Sequence, residues 1–171
     1  MNRAVIFDLD QTLIDTSSIA HLRKPGLWSE AYRLIPTLAP FAGINDLIKK
    51  INEQGILVIV ITTSPSTYCG KILTAFGWKT DGQICYHDVS SRKPHPEAFL
   101  KAIKDFDLDV TQTISAGDRN IDIQASHAAG IPSIACTWAS EDKSSLLSAN
   151  PTYIANNSSE LAQLITNFFN E

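Results

Sequence analysis

Apolar runs rich in β-branched residues alternate with helix-periodic segments along most of this chain, and this alternation constrains the fold more than any other feature. Residues 4–7 open the series, and residues 56–61 form an unbroken apolar run that reads as a strand buried on both faces. Residues 83–86, 113–116 and 133–136 are shorter strand candidates, and 152–155 adds an edge strand. Between them, Ile44, Leu47, Ile48 and Ile51 fall on one helical face that Gly55 can close. Ser64 and Pro65 supply an N-cap and a first-turn proline for a helix whose face carries Tyr68, Ile72 and Phe76. A third helix is expected from about Pro96, and a fourth from just after Asp118 to Gly130. The last opens on Asn157 and Glu160 in capping-box spacing and buries Leu161, Leu164, Ile165 and Phe168. Strand and helix alternating in this way predict an α/β domain, a doubly wound parallel sheet with helices on both faces. Functional groups of such sheets gather beyond the carboxyl ends of the strands.

At 171 residues, 44% of them hydrophobic, the chain can close one core without disulfides or a structural metal, so 1–171 reads as a single domain. The run at 56–61 is far too short to cross a bilayer and the N-terminus has no signal-peptide pattern, so a cytoplasmic protein without a membrane partner is expected. Cys69, Cys85 and Cys136 show neither metal nor disulfide spacing and read as reduced, buried thiols. A net charge of -4 speaks against a broad nucleic-acid surface.

The residues following each apolar run carry the chemistry. Asp8 and Asp10 follow the first, where their repulsion would be about 4 kcal/mol at about 4 Å and an effective dielectric near 20, so a cation is expected beside them. Thr62, Thr63 and Ser64 follow the second, offering hydroxyls and amides to an anion at a helix start. Lys93 lies ahead of a proline-started helix in Arg92-Lys93-Pro94-His95-Pro96. Asp118 and Asp122, four apart, follow the fourth strand. Taken singly, turn capping accounts for the aspartates, N-capping for the hydroxyls and solvation for the lysine.

Taken together, in order and each at a strand end, these residues resemble the haloacid dehalogenase superfamily, specifically its phosphoglycolate phosphatase-like branch. Asp8-Leu9-Asp10 matches the DxD signature, Thr62 the second motif, Lys93 the third, and Asp118 with Asp122 the GDxxxD motif. The resemblance implies a Rossmann-like fold and a magnesium-dependent phosphatase. Asp8 would be the nucleophile that forms an aspartyl-phosphate, and Asp10 the general acid and then base. Leu9, Asp10, Thr62, Thr63 and Lys93 would hold the phosphoryl group. Mg2+ would be bound by Asp8, Asp10 through its backbone carbonyl, and Asp118, with Asp122 helping through a water or by orienting Lys93. The acid at position 10 favours phosphatase over carbon-halogen cleavage.

Two departures stand out. Gln11 occupies a position where the family commonly has glycine, and the stretch between Asp10 and Thr62 has room for only a short insert, 16–40, in place of a large helical cap. That insert predicts one short amphipathic helix around Trp28, Ala31 and Leu34, ending at Pro36, and it also carries His21, Arg23 and Lys24. Cations and aromatics on it suit an anionic substrate, and they equally suit packing on the domain. An exposed site leaves a small phosphorylated metabolite or a macromolecular phosphate as substrate, and a monomer or homodimer as the assembly. A phosphotransferase or mutase using the same intermediate, and a non-catalytic phosphate-binding module, are the alternatives.

Overall fold

The computed structural model describes residues 1–170. In chain order it consists of β1 (Asn2–Phe7), β2 (Ile14–Asp15), α1 (Trp28–Leu34), β3 (Ala39–Pro40), α2 (Ile44–Glu53), β4 (Leu57–Ile61), α3 (Ser66–Ala75) and β5 (Gly82–Ile84). Then follow α4 (Glu97–Asp105), β6 (Leu108–Gly117), α5 (Asn120–Ala128), β7 (Ser133–Cys136), α6 (Lys143–Ser148), β8 (Tyr153–Ala155) and α7 (Ser158–Asn170). Six strands form a parallel sheet in the order β5-β4-β1-β6-β7-β8, while β2 and β3 make a separate antiparallel ribbon.

The wholly apolar strand sequences follow from burial on two sides. Val5 and Phe7 of β1 face the core shared with α2, α3 and α7, and Ala4 and Ile6 face the one shared with α4 and α5. Successive side chains of a strand point to opposite faces, so covering both requires apolar residues throughout. From β1 the chain builds outward through β4 and β5, then returns to the other side of β1 with β6. Strand order therefore reverses beside β1, and the crevice outside its carboxyl end is where a doubly wound sheet binds ligand. Asp8 is the first residue beyond that end.

The helices α2, α3, α4, α5 and α7 form where the periodicity predicts them, and Asn157 Oδ1 accepts from the Glu160 N–H at 2.9 Å, capping α7. Three details differ. Ser64 does not cap α3, because its hydroxyl donates to Asp10 instead. β5 ends at Ile84, short of the expected 86, because the Asp88 carboxylate takes the Cys85 amide and turns the chain. β6 starts well before 113, since Leu108 pairs with Asn2 across a register shift. The short α6 has no apolar stripe to announce it, burying only Leu146, and is started by Asp142 accepting from the Ser145 amide. All three cysteines are buried and free, and no described helix is long and apolar enough to cross a membrane.

Candidate active site

Three strand ends, those of β1, β4 and β6, and the loop before α4 deliver buried polar groups to one place. The Asp8 amide donates to the Ala116 carbonyl at 2.9 Å, continuing the β1–β6 ladder and carrying its side chain just past the sheet. Lys93, from the loop before α4, reaches in until its Nζ lies 2.6 Å from Asp8 Oδ1, 2.5 Å from Asp122 Oδ1 and 3.0 Å from the Ile61 carbonyl. Asp122 serves two purposes: Oδ2 accepts from the Arg119 amide at 2.9 Å, capping α5, and Oδ1 orients Lys93. Asp118 accepts from the Thr12 hydroxyl at 3.0 Å, and Ser140 Oγ donates to its backbone carbonyl at 2.7 Å. Asp8, Lys93, Asp118 and Asp122 are all buried.

Gly117 is required by this packing, because a Cβ there would stand 2.5 Å from Asp122 Cβ. The Asp122 Cβ is anchored to α5 and has little room to yield. Gly117→Ala is therefore expected to cost about 1–3 kcal/mol by overpacking and to pull Asp122 off Lys93. Urea unfolding and turnover measured on the same preparation should fall together; a stable, fully active variant would contradict the arrangement.

The electrostatics leave the cluster short of positive charge. Burial raises the Asp8 carboxyl to about 6, with Asp122 adding to the rise and Lys93 opposing it. Burial, then Asp8 and Asp122, raise Asp118 to about 8. Burial pulls the Lys93 ammonium down, but Asp122 and Asp8 more than offset it and hold Lys93 above its ordinary value. Asp8, Asp118 and Asp122 each offer an oxygen within 4.8 Å of the others. Arg119 adds a second positive charge beside Lys93 and lowers both Asp8 and Asp118, yet both carboxyls stay raised, and the three clustered carboxylates form an all-oxygen donor set suited to a hard divalent cation.

Asp10 stands apart from this cluster. Its Oδ1 accepts from the Tyr68 hydroxyl at 2.8 Å, and its Oδ2 from the Ser64 hydroxyl at 2.9 Å and Arg23 Nη2 at 3.0 Å. Each acid of the DxD pair thus has its own cation, Lys93 for Asp8 and Arg23 for Asp10. Thr62 is buried and accepts from the Ser64 amide at 3.0 Å, while Thr63 accepts from Arg119 Nη2 at 3.2 Å. The Leu9 side chain lies in the core, and its carbonyl accepts from the Leu13 amide. Gln11 has φ 63°, the left-handed region that favours glycine, and its side-chain oxygen accepts from the Thr16 amide at 3.1 Å to hold the turn.

A cavity of about 170 Å³ reaches Asp10 and Asp118 and is lined also by Gln11, Arg23, Arg119 and Glu141, while Asp8, Lys93, Thr62 and Thr63 are not part of its lining. A larger groove of about 480 Å³, lined by Asn45, Asn52, Phe76 and Trp78 among others, contains none of the site acids. In the insert, α1 lays Trp28 against the Tyr68 ring at 5.4 Å. Arg92 stacks 3.7 Å over Tyr86, and His95 Nδ1 accepts from the Glu97 amide, so neither enters the cavity. His21 lines a different groove with Glu30 and Arg33. Ser64 of the hydroxyl run and Arg23 of the insert complete the site together with Thr12, Tyr68 and Arg119, which no motif singles out. Tyr68 in sequence is simply one apolar position on a helical face.

A model of the haloacid dehalogenase-like hydrolase family matches residues 27–136. The chain belongs to that family. The matched segment contains Thr62, Lys93, Asp118 and Asp122, while Asp8 and Asp10 lie ahead of it. A phosphoglycolate phosphatase of Xanthomonas campestris is 30% identical over 100 residues, covering 57% of this chain and 45% of that protein. This chain thus matches less than half the length of that relative. The pyrophosphatase PpaX of Oceanobacillus iheyensis is 22% identical over an alignment of 210 positions covering 98% of each chain. That alignment exceeds the 171 residues present here, so PpaX carries segments that this family member lacks. Among solved structures, a putative beta-phosphoglucomutase from Thermotoga maritima superposes with a TM-score of 0.85 at 17% identity, covering 98% of this chain and 99% of that one. At that identity the likeness concerns the fold.

Proposed function

We propose that this family member is a magnesium-dependent phosphatase that hydrolyses a phosphomonoester through an aspartyl-phosphate on Asp8. The observation that carries the reading is the buried Lys93 ammonium held between Asp8 and Asp122 beside Asp118, at the point where strand order reverses. Phosphoryl transfer demands alignment and charge neutralisation above all, and that is what these groups provide. Lys93 fixes the rotation of the Asp8 carboxylate and stands ready for the phosphoryl oxygens. Asp8 attacks phosphorus as the ester bond breaks, and Asp10 gives a proton to the departing alkoxide. Asp10 then takes a proton from the water that cleaves the aspartyl-phosphate, releasing inorganic phosphate and regenerating Asp8. In this reading the Thr62 and Thr63 hydroxyls and the Leu9 and Asp10 backbone would hold the phosphoryl oxygens.

Mg2+ fits the oxygen donors of Asp8, Asp118 and Asp122, with the Asp10 carbonyl as a further ligand. When bound it supplies charge neutralisation and holds the phosphate in line with the nucleophile. The insert 16–40 acts as a reduced cap on a single domain spanning 1–171. A cytoplasmic site of action goes with this reading, supported by three buried cysteines that form no disulfide. A cavity of about 170 Å³ favours a small phosphorylated metabolite over a macromolecular one. The test is turnover of p-nitrophenyl phosphate by the full chain with and without magnesium. Release of phosphate that depends on the metal supports the reading; no turnover at any metal concentration, or transfer only to an added alcohol, removes it.

A further inference from the structure

The two oxygens of Asp10 are held differently. Oδ2 accepts from the Ser64 hydroxyl at 2.9 Å and meets Arg23 Nη2 at 3.0 Å, whereas Oδ1 accepts only from the Tyr68 hydroxyl, at 2.8 Å. Tyr68 is a fully buried residue of α3, packed in the core that also takes Val5 and Phe7 of β1. Trp28 lies 5.4 Å from its ring and the Arg23 guanidinium 5.7 Å over it, so the phenol has little room to swing away. Ser64 is fixed through its backbone: its amide donates to Thr62 Oγ1 at 3.0 Å and its carbonyl accepts from the Tyr86 amide at 3.0 Å. Arg23, which meets Oδ2, lines the cavity of about 170 Å³, and Tyr68 does not. Oδ1 is therefore the oxygen anchored in the core and Oδ2 the one on the cavity side.

A general acid is neutral before it acts and charged afterwards, so its surroundings must suit both forms. The Ser64 hydroxyl can donate to Oδ2 or accept from it, which lets that oxygen carry the proton. Tyr68 stays on Oδ1 in either form. We infer that Tyr68 is a positioning residue for the acid step: it anchors Asp10 by Oδ1, turns Oδ2 towards the leaving oxygen, and stabilises the carboxylate that forms as the proton departs. When Asp8 bonds to phosphorus and the ester P–O bond breaks, the leaving oxygen keeps the electron pair of that bond and takes the proton of Oδ2. The pair of the O–H bond remains on Asp10, and its charge is shared with Oδ1, where the phenol already donates. A hydrogen bond that strengthens as charge develops lowers the barrier and does not merely add affinity. Because the anchor belongs to the core, Asp10 is aimed without closure of a cap. The inference deepens the phosphatase reading above and rests on it.

Leaving-group dependence tests it. An alkoxide needs a proton to depart, and p-nitrophenolate scarcely does. The full chain with magnesium is assayed on β-glycerophosphate and on p-nitrophenyl phosphate, and the two values of kcat/KM are compared. That constant covers the steps up to the aspartyl-phosphate, which separates the acid role of Asp10 from its later role as base. Tyr68→Phe removes one hydroxyl and keeps the ring beside Trp28, and Asp10 retains Ser64 and Arg23, so the fold should hold. The alkyl-to-aryl ratio should fall roughly tenfold or more in this variant, the scale of a hydrogen bond to a charged group. In Asp10→Asn the ratio is already low, and adding Tyr68→Phe should lower it no further. A ratio unchanged by Tyr68→Phe, whether both substrates slow alike or neither does, makes Tyr68 purely structural and overturns the inference. So does a further fall in the double variant, since Tyr68 would then act otherwise than through Asp10. Failure of wild type to hydrolyse either substrate removes the phosphatase reading, and this inference with it.

Discussion

Asp8→Asn is expected to reduce phosphomonoester turnover by on the order of 10⁴-fold or more, the scale seen when a covalent nucleophile is removed. The amide retains the shape of the side chain but is a poor nucleophile towards phosphorus, and no other carboxylate holds its position at the end of β1. Asp118 and Asp122 lie within the same cluster, but one is tied by Thr12 and the other by the Arg119 amide, so neither can rotate into its place. The fold should survive. Lys93 retains Asp122 and the Ile61 carbonyl after the change, and the variant loses a carboxylate whose ionisation burial opposes. Single-turnover assays with the variant, with far-UV circular dichroism to confirm folding, distinguish this from collapse of the site. Turnover within tenfold of wild type would mean that Asp8 is not the attacking group.

The second large effect concerns metal and pH together. Asp8 and Asp118 are raised in the fold to about 6 and about 8, above the ordinary 3.8 of the unfolded chain. A carboxyl raised in the folded state favours folding most when it is protonated in both states, below about pH 4. That contribution falls away as pH rises from the unfolded value through the folded one. The carboxyls held low, Asp15, Asp109, Glu97 and Glu160, work in the opposite sense and matter only in acid, below their ordinary values of 3.8 and 4.5. Between pH 5.5 and 8.5 the raised pair therefore governs the carboxylate contribution. In chelator, stability should decline across this window by on the order of a few kcal/mol.

Magnesium should reverse most of that decline, because binding favours the ionised carboxylates. At a hundredfold excess over its Kd, linkage adds about 2.7 kcal/mol, or roughly 5–10 °C in Tm for a chain of this size. The gain should be larger at pH 8.5 than at pH 5.5, and turnover should disappear with chelator. Asp118→Asn should raise stability in chelator at pH 8.5 while abolishing the response to magnesium. Equal magnesium effects at both pH values, or an Asp118→Asn variant that still responds fully, would contradict the placement of the metal on these acids.

The order of strands and helices was legible because covering a parallel sheet on both faces leaves a signature in local sequence. Residues 56–61 could hardly be anything but a central strand, and the periodicity of Ile44, Leu47, Ile48 and Ile51 is the buried face of α2. Legibility failed where polar contacts between distant segments override local preference. Ser64 in front of a proline reads as an N-cap, yet its hydroxyl is taken by Asp10, and β5 stops where Asp88 captures an amide. Gln11 reads as a departure from glycine; in the fold it keeps the left-handed turn and adds a side-chain bond to Thr16.

The sequence by itself determined the doubly wound architecture, because strand and helix patterns are local properties of a chain, and its resemblance to the family picked out Asp8, Asp10, Thr62, Lys93, Asp118 and Asp122 as candidates. Only the tertiary structure decided how these groups divide. It drew Asp8, Asp118 and Asp122 around Lys93 and gave Asp10 to Tyr68, Ser64 and Arg23. Two aspartates separated by a single residue thereby entered different environments. The physical reason is that a buried charge settles with whichever partners the packing of other segments brings within hydrogen-bond distance, and no feature of the local sequence records those partners.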